Sequence, residues 1–181
     1  AQVMARKAAQ ESQAKYQNLF ESMDQGFCVL EMIFDDQNQP YDYRFLEANP
    51  VFTQQTGLVD AVGKTARELV PDLESHWLEL YGKVALSGQS IRFTQESEAM
   101  RRWFDVFAFP VEGEERTKLA LLFTDITERK IAELALKQSE ANLRNMILQA
   151  PVAMAILKGP QFVIEIANDR MYELWGRGKD E

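Results

Sequence analysis

The chain has 181 residues, of which 46% are hydrophobic and 27% charged, and its formal net charge is −8. This length and composition are typical of a globular protein with one or two domains, and they exclude a disordered chain. A single cysteine and a single histidine exclude a disulfide scaffold and the common zinc sites. We therefore expect a cytoplasmic location.

Acidic residues outnumber basic residues by 28 to 20. Phosphate groups are bound by basic surfaces, so we expect no nucleic acid partner and no membrane contact. The longest apolar runs, such as residues 119–123, are about one strand long, far below the roughly 20 residues of a membrane-spanning helix. The chain begins without Met and ends directly after a helical pattern, so we expect it to be a segment of a longer protein.

Residues 1–23 form the first predicted segment, an amphipathic helix that contains no Gly or Pro. Its small and apolar side chains alternate in steps of four and three, at Ala5, Ala9, Ser12, Tyr16, Leu19 and Met23. This spacing has two interpretations: a seam that pairs with a second helix, or a face that lies on the helix's own domain.

Residues 24–125 contain the elements of one complete domain. An apolar, β-branched run over 26–34 and an alternating run over 41–47 predict a hairpin. A short helix follows, marked by Asn49 as N-cap, Pro50 in its first turn and Gly57 at its end.

The rest of this domain is predicted as two helices and then three strands. The helices cover about 66–69 and 73–86, and the strands cover 90–96, 103–109 and 118–123. Two strands, three helices and three strands in this order indicate an α+β fold with an antiparallel sheet.

Residues 126–149 are predicted as a connecting helix without a breaker. Asp125 followed three residues later by Glu128 resembles a capping box. Residues at heptad steps form a narrow apolar seam, at Ala132, Leu136, Ser139, Leu143 and Ile147. We expect this helix to pair with a partner helix; a purely solvated connector is the alternative.

Residues 150–181 repeat the start of the domain. Five residues match identical or similar residues at a constant offset of 127. Asn18, Phe20, Gly26, Phe27 and Val29 correspond to Asn145, Ile147, Ala153, Met154 and Ile156. Four more recur at an offset of 119, namely Ala48, Asn49, Phe52 and Gly57 as Ala167, Asn168, Met171 and Gly176. The eight-residue difference in length falls in a hairpin turn, where an insertion costs little free energy. We therefore expect a second, truncated copy of the domain.

The element order and two short motifs resemble the PAS domain family. The motifs are Ala48-Asn49-Pro50-Val51-Phe52 followed by Thr56-Gly57, and the ending Asp125-Ile126-Thr127-Glu128-Arg129-Lys130. The resemblance covers about residues 20–130 fully and 145–181 in truncated form. It implies a five-stranded antiparallel sheet in the order 2-1-5-4-3 with short helices on one face.

The same resemblance implies a sensory or dimerisation module of a bacterial signalling protein. The expected function is to bind a small ligand or partner and to relay the signal through dimer-paired helices to a downstream output domain. That output domain would be a histidine kinase or diguanylate cyclase in the same chain. None of their motifs occurs here, so we expect no catalysis from this segment. A ligand-free dimerisation and relay module is the alternative.

Aromatic residues are dense in the predicted domain, where they either fill the core or line a cavity for a small metabolite. The ligand-binding candidates are Arg44, Phe52, Trp77, Tyr81 and Trp103. Asp125, Ile126 and Thr127 are the candidates for signal coupling, since they join the last strand to the connecting helix.

Two residues bear on whether the domain binds a cofactor: the single histidine and the single cysteine. His76 lies near the start of the helix that carries the iron ligand in haem-binding PAS proteins, so haem gas or redox sensing is an alternative. In flavin-binding members a cysteine on a helix reacts with the flavin, whereas Cys28 falls in the first predicted strand. The sequence therefore disfavours a photoreceptor.

Overall fold

The structure is a computed structural model that describes residues 2–111 and 117–176. The first residue of the predicted N-terminal helix and residues 177–181 of the predicted second copy lie outside these ranges. The elements are α1 (Gln2–Ser22), β1 (Gly26–Phe34), β2 (Pro40–Ala48), α2 (Pro50–Thr56), α3 (Ala66–Leu69), α4 (Ser75–Ser87), β3 (Ile91–Ser97), β4 (Arg102–Pro110), β5 (Lys118–Asp125), α5 (Thr127–Gln149), β6 (Ala155–Lys158), β7 (Val163–Ala167) and α6 (Asp169–Trp175). They fall into two compact units, residues 1–127 and 128–181.

The first unit contains a five-stranded antiparallel sheet in the order β2-β1-β5-β4-β3. The predicted fold class and strand order are therefore confirmed. β1 and β5 are neighbours although most of the unit separates them in sequence, so the first and last strands together form the centre of the sheet. The C-terminal end of β5 consequently leads out of the domain from a central strand.

Helix α2 shows why the short motif at 49–57 folds locally. The side-chain oxygen of Asn49 accepts the N–H of Phe52 at 2.9 Å, which caps the helix, and Pro50 occupies its first turn. Gly57 ends the helix with a φ of 76°, a left-handed conformation that glycine adopts without strain. Both predicted ends of this helix are confirmed.

The core lies between one face of the sheet and the short helices. Along β1 and β4, alternate residues point into it and are buried. The buried positions of β1 and β4 are Cys28, Leu30, Met32, Phe104, Val106 and Ala108. Helix α4 covers this face with Trp77, Tyr81 and Val84.

Gly26 on β1 permits a close contact with β5. A Cβ atom at this position would lie 2.4 Å from Cζ of Phe123, closer than real Cβ atoms approach any neighbour. The ring of Phe123 thus occupies the space that a side chain on Gly26 would fill. It packs edge-on against Phe52 and Phe104, with ring centroids 5.8 and 5.6 Å away.

Helix α1 contacts its own domain near its C-terminal end. The hydroxyl of Tyr16 donates to Oε2 of Glu47 at 2.7 Å, and the rings of Phe20 and Phe27 pack edge-on at 5.5 Å. Most described side chains along the helix are exposed. Of the two interpretations of its seam, the contact with its own domain is therefore present at this end.

The second unit consists of most of α5, the β6–β7 hairpin and α6. Ile147 on α5 is only 4% exposed and packs within this unit, whereas Met146 is 70% exposed. The predicted seam is therefore wrong at its last position, because the hairpin buries Ile147. The exposed apolar seam continues instead through Leu143 and Met146, which lie three residues apart on one helix face.

Within residues 2–111 and 117–176, no helix is both long and apolar enough to cross a bilayer.

Candidate functional site

A small cavity opens in the core of the first unit, between the sheet and helices α2 and α4. Its volume is about 50 Å³. For comparison, an engineered apolar cavity of about 150 Å³ holds a benzene ring. The lining residues are Cys28, Tyr43, Phe45, Phe52, Thr56, Leu58, Leu73, Trp77, Tyr81, Met100, Phe104, Val106, Leu121 and Phe123. Aromatic side chains thus occupy most of the core and leave a small residual space.

No charged side chain is among the described residues that line this cavity. Burial raises the pKa of the Cys28 thiol, and burial is also the main cause that raises the pKa of Tyr43 and of Tyr81. These groups therefore stay neutral at physiological pH and act as weak polar contacts rather than as nucleophiles. A charged ligand would find no counter-charge here.

Trp77 and His76 lie side by side at the start of α4, with ring centroids 5.1 Å apart. Trp77 lines the cavity and is buried, but the lining does not include His76. Within the described part of the chain, Nε1 of Trp77 and Nε2 of His76 are buried without a hydrogen-bond partner. An unpaired buried N–H is unusual, and here it belongs to a side chain that lines the cavity.

Of the five predicted ligand-binding residues, Phe52, Trp77 and Tyr81 line the cavity. Arg44 and Trp103 are not among the residues that line it. Arg44 alternates with the buried Tyr43 and Phe45, so its side chain points outward, and its Nη1 donates to the carbonyl of Gly63 at 2.7 Å.

Trp103 is also outside the cavity lining because of strand alternation. Its neighbour Phe104 is the residue of β4 that faces the core, so Trp103 belongs to the opposite, half-buried face of the strand.

The sequence reasoning missed Cys28, Tyr43 and Thr56 as cavity residues. Cys28 was tested only for flavin chemistry, although the alternation of β1 places it on the same face as Leu30. The alternating pattern of β2 carried a similar signal for Tyr43. Thr56 lies one helical turn after Phe52, so both share a face of α2.

Neither haem nor flavin fits this site. The porphyrin and the three-ring isoalloxazine are each several times larger than benzene, whereas the cavity is smaller than one that holds benzene. His76 is also absent from the described lining, so it is not placed to bind iron in the cavity. The described residues contain no cluster of three or more side chains suited to hold a metal ion.

The second part of the candidate site is the junction where β5 passes into α5. Oδ1 of Asp125 accepts the N–H of Thr127 at 2.9 Å and also its hydroxyl hydrogen. Thr127 Oγ1 accepts the N–H of Trp103 at 2.9 Å, and the N–H of Ile126 donates to the Trp103 carbonyl at 2.8 Å. These contacts attach the three predicted coupling residues, or their direct neighbours, to β4.

The predicted capping box at this junction is not the arrangement observed. In a capping box the N–H of Asp125 would donate to the side chain of Glu128. That N–H donates instead to Oε1 of Gln55 on α2, at 2.9 Å. A capping box does form at α3, where Thr65 and Glu68 exchange hydrogen bonds. The sequence pattern therefore identified the position of the cap but not its partner.

Sequence comparison places the domain in a family. A protein-family model described as "PAS fold" matches residues 40–131. This match covers half of the chain, and the chain belongs to the PAS family. No curated protein matches the chain significantly in sequence.

The chain is also similar to solved structures. An RNA-binding Light-Oxygen-Voltage receptor is 16% identical, with a TM-score of 0.51 over 73% of this chain and 38% of that chain. The chain therefore spans well under half of that receptor. The PAS domain of an HTR-like protein from Haloarcula marismortui is 16% identical, with a TM-score of 0.48 over 68% of this chain and 98% of that one. A sensory box sensor histidine kinase from Vibrio cholerae is 14% identical, with a TM-score of 0.40 over 66% and 93%.

PAS domains are sensory, non-catalytic modules, and family membership identifies this chain as a sensory signalling module.

Proposed function

We propose that the first unit senses a small, uncharged ligand in its core cavity and relays the signal through the β5–α5 junction to α5. The carrying observation is the apolar cavity, which leaves a buried indole N–H of Trp77 without a partner among the described residues. An occupant with one hydrogen-bond acceptor would satisfy this donor. The apolar lining would contact the rest of the ligand.

The size of the cavity defines the first experiment. Xenon is a monatomic apolar probe that enters cavities too small for most metabolites. We expect xenon to shift the amide resonances of residues that line the cavity, such as Leu121 and Val106. A Cys28→Met variant should abolish these shifts because the larger side chain fills the space.

Val29→Met is the matched control, because this substitution introduces the same Met side chain on the opposite face of β1. It should keep the xenon response. If Cys28→Met does not fold, Val106→Ile fills the cavity by one methylene group. Equal xenon shifts in wild type and in a folded cavity-filled variant would contradict the proposal.

The natural ligand can be sought by native mass spectrometry of the chain purified from cells. A retained small molecule would appear as excess mass that organic solvent removes. We expect this mass to be lost in Cys28→Met and kept in Val29→Met. Without retained mass and without a xenon response, the ligand-free dimerisation and relay module would be the better description.

Pairing of α5 with the same helix of a second copy is part of the proposal. Leu136, Leu143 and Met146 are exposed at heptad spacing on the described surface of this helix. A single helix of this kind exposes its apolar seam to water, and a second copy would cover it with matching residues. The described contacts of helix α1 with its own domain lie near its C-terminal end, and we propose that its earlier turns take part in the same dimer.

The proposed output is a histidine kinase or diguanylate cyclase domain in the same chain. Residues 150–181 would begin a second PAS domain. The support for this second copy is local: Leu157 is 50% exposed where its counterpart Leu30 is fully buried, and Ile164 is 48% exposed where Phe45 is 4% exposed. Further strands of a PAS sheet would cover these positions.

A further inference from the structure

One residue at the C-terminal end of α2, Gln55, contacts the β5–α5 junction twice. Its side-chain oxygen accepts the N–H of Asp125 at 2.9 Å, and its backbone carbonyl accepts a hydrogen bond from Nη1 of Arg102. The same Nη1 donates to Oδ2 of Asp125 at 3.1 Å. Gln55 and Arg102 therefore join the end of α2 to both the backbone and the carboxylate of Asp125.

The same helix forms part of the cavity wall. Phe52 and Thr56 line the cavity, and Gln55 lies between them in sequence. The hydroxyl of Thr56 donates to the Phe52 carbonyl at 2.7 Å, and the helix is capped at both ends. These bonds join Phe52, Gln55 and Thr56 within one short capped helix, so we expect a displacement of Phe52 to displace Gln55 as well.

The sequence offers the N–H of Asp125 a second acceptor, at the spacing of a capping box in which Asp125 would be the N-cap residue. Glu128 is exposed and lies three residues later, at the position from which a capping-box glutamate accepts the N–H of the N-cap residue. Either acceptor satisfies the same donor. Besides the observed arrangement, the sequence of the junction therefore provides a second one of similar chemistry, as a two-state element requires.

We infer that Gln55 is a positioning residue that couples the cavity to α5 by holding the N–H of Asp125 away from Glu128. When α2 moves, this N–H transfers from Gln55 to Glu128, and α5 begins in a capping box. The inference rests on the proposed sensory function but concerns how the cavity signal leaves the domain.

Hydrogen exchange of the Asp125 amide in the full chain tests this switch without any ligand. We expect this amide to be protected in wild type and in Glu128→Ala, where Gln55 accepts the bond. Gln55→Ala should lose only part of the protection because Glu128 replaces the lost acceptor. The double variant Gln55→Ala/Glu128→Ala should lose the protection, and Gln55→Ala/Glu128→Gln should regain it, since Gln also serves in capping boxes.

Gln54→Ala is the matched control, because Gln54 is the exposed neighbour of the same residue type. It should exchange like wild type. Two results would overturn the inference: exchange in Gln55→Ala as fast as in the double variant, or exchange that Gln55→Ala does not change.

A change in the cavity wall tests the link to α2. Phe52→Leu should accelerate Asp125 exchange in wild type and in Gln54→Ala, and should add nothing in Gln55→Ala. Equal acceleration in all three backgrounds, or none in wild type, would contradict the coupling. Phe52→Met serves if Phe52→Leu does not fold. Because no ligand is used, failure here leaves the proposed ligand binding untouched, and failure of the xenon experiment leaves this test valid.

Discussion

Asn49 and Asn168 hold equivalent positions in two copies of one hydrogen-bond arrangement. Oδ1 of Asn49 accepts the N–H groups of Phe27 and Phe52, and Oδ1 of Asn168 accepts those of Met154 and Met171. The partners are related by the sequence offsets of 127 and 119 residues. Each side-chain amide also donates to carbonyls just before its hairpin, including Gln25 and Val152. The internal repeat is therefore a repeat of contacts as well as of residue types.

Replacing Asn49 should destabilise the first unit strongly. The side chain is 1% exposed, and Asn49→Ala would remove the helix cap and leave buried N–H and carbonyl groups without partners. We expect a loss on the order of 3 kcal/mol in the free energy of unfolding, measured in urea. The exposed Asn18→Ala is the control and should stay within about 0.5 kcal/mol of wild type. A small loss from Asn49→Ala would show that other contacts hold the hairpin to α2.

Replacing Gly26 tests the contact with Phe123. Gly26→Ala places a methyl group where the ring lies, so we expect a loss of about 1–3 kcal/mol in urea unfolding from overpacking. Phe123→Leu removes the ring, so the alanine should cost clearly less in that background. If the alanine costs the same in both backgrounds, the ring is not the cause.

The pH dependence of the α1 contact follows from Tyr16. Partial burial, the hydrogen bond from Tyr16 to Glu47 and the negative charge of Glu47 raise the pKa of Tyr16 to about 12. The protonated phenol is favoured by folding, so its contribution is fully present below the ordinary pKa of about 10 and is lost as the pH rises towards 12. Ultraviolet titration of phenolate should show a tyrosine that ionises near pH 12 and is absent in Tyr16→Phe, whereas the buried Tyr43 and Tyr81 stay protonated to higher pH.

Glu47→Gln provides the counterpart to this titration. It removes the charge, so the pKa of Tyr16 should move back towards its ordinary value. An unchanged titration curve would mean that Glu47 does not hold the phenol in solution.

If two copies pair through the exposed apolar seam of α5, a charged residue introduced into the seam should disrupt the dimer. Leu143→Lys would place like charges opposite each other in a paired helix, so we expect sedimentation to shift from dimer towards monomer. Ala141→Lys adds the same charge on the opposite side of the helix and should leave the dimer intact. A dimer that persists in Leu143→Lys would place the interface elsewhere.

The sequence predicted those features that depend on neighbouring residues. The bounds of β1 and α3 and both ends of α2 agree with the structure, because strand alternation, turn residues and caps act over a few positions. The strand order followed from a family resemblance and not from local pattern.

Two differences between sequence and structure involve contacts that no local pattern shows. Ile147 is buried by a hairpin that the helix period does not reveal, and the N–H of Asp125 finds Gln55 seventy residues away. Arg44 and Trp103 have suitable chemistry for a ligand, but the sheet turns them away from the core face. For the last two, strand alternation already contained the answer once the buried face was known.

The Asn49 arrangement also has a use in protein engineering. Its hydrogen bonds hold only the base of the β1–β2 hairpin, while the exposed turn at the far end is closed locally by Asp35, whose Oδ1 accepts the N–H groups of Gln37 and Gln39. The two copies already differ by eight residues in this hairpin. A fluorescent reporter or epitope inserted between Asp36 and Gln37 would therefore meet an exposed turn at the end of the hairpin opposite to the Asn49 contacts.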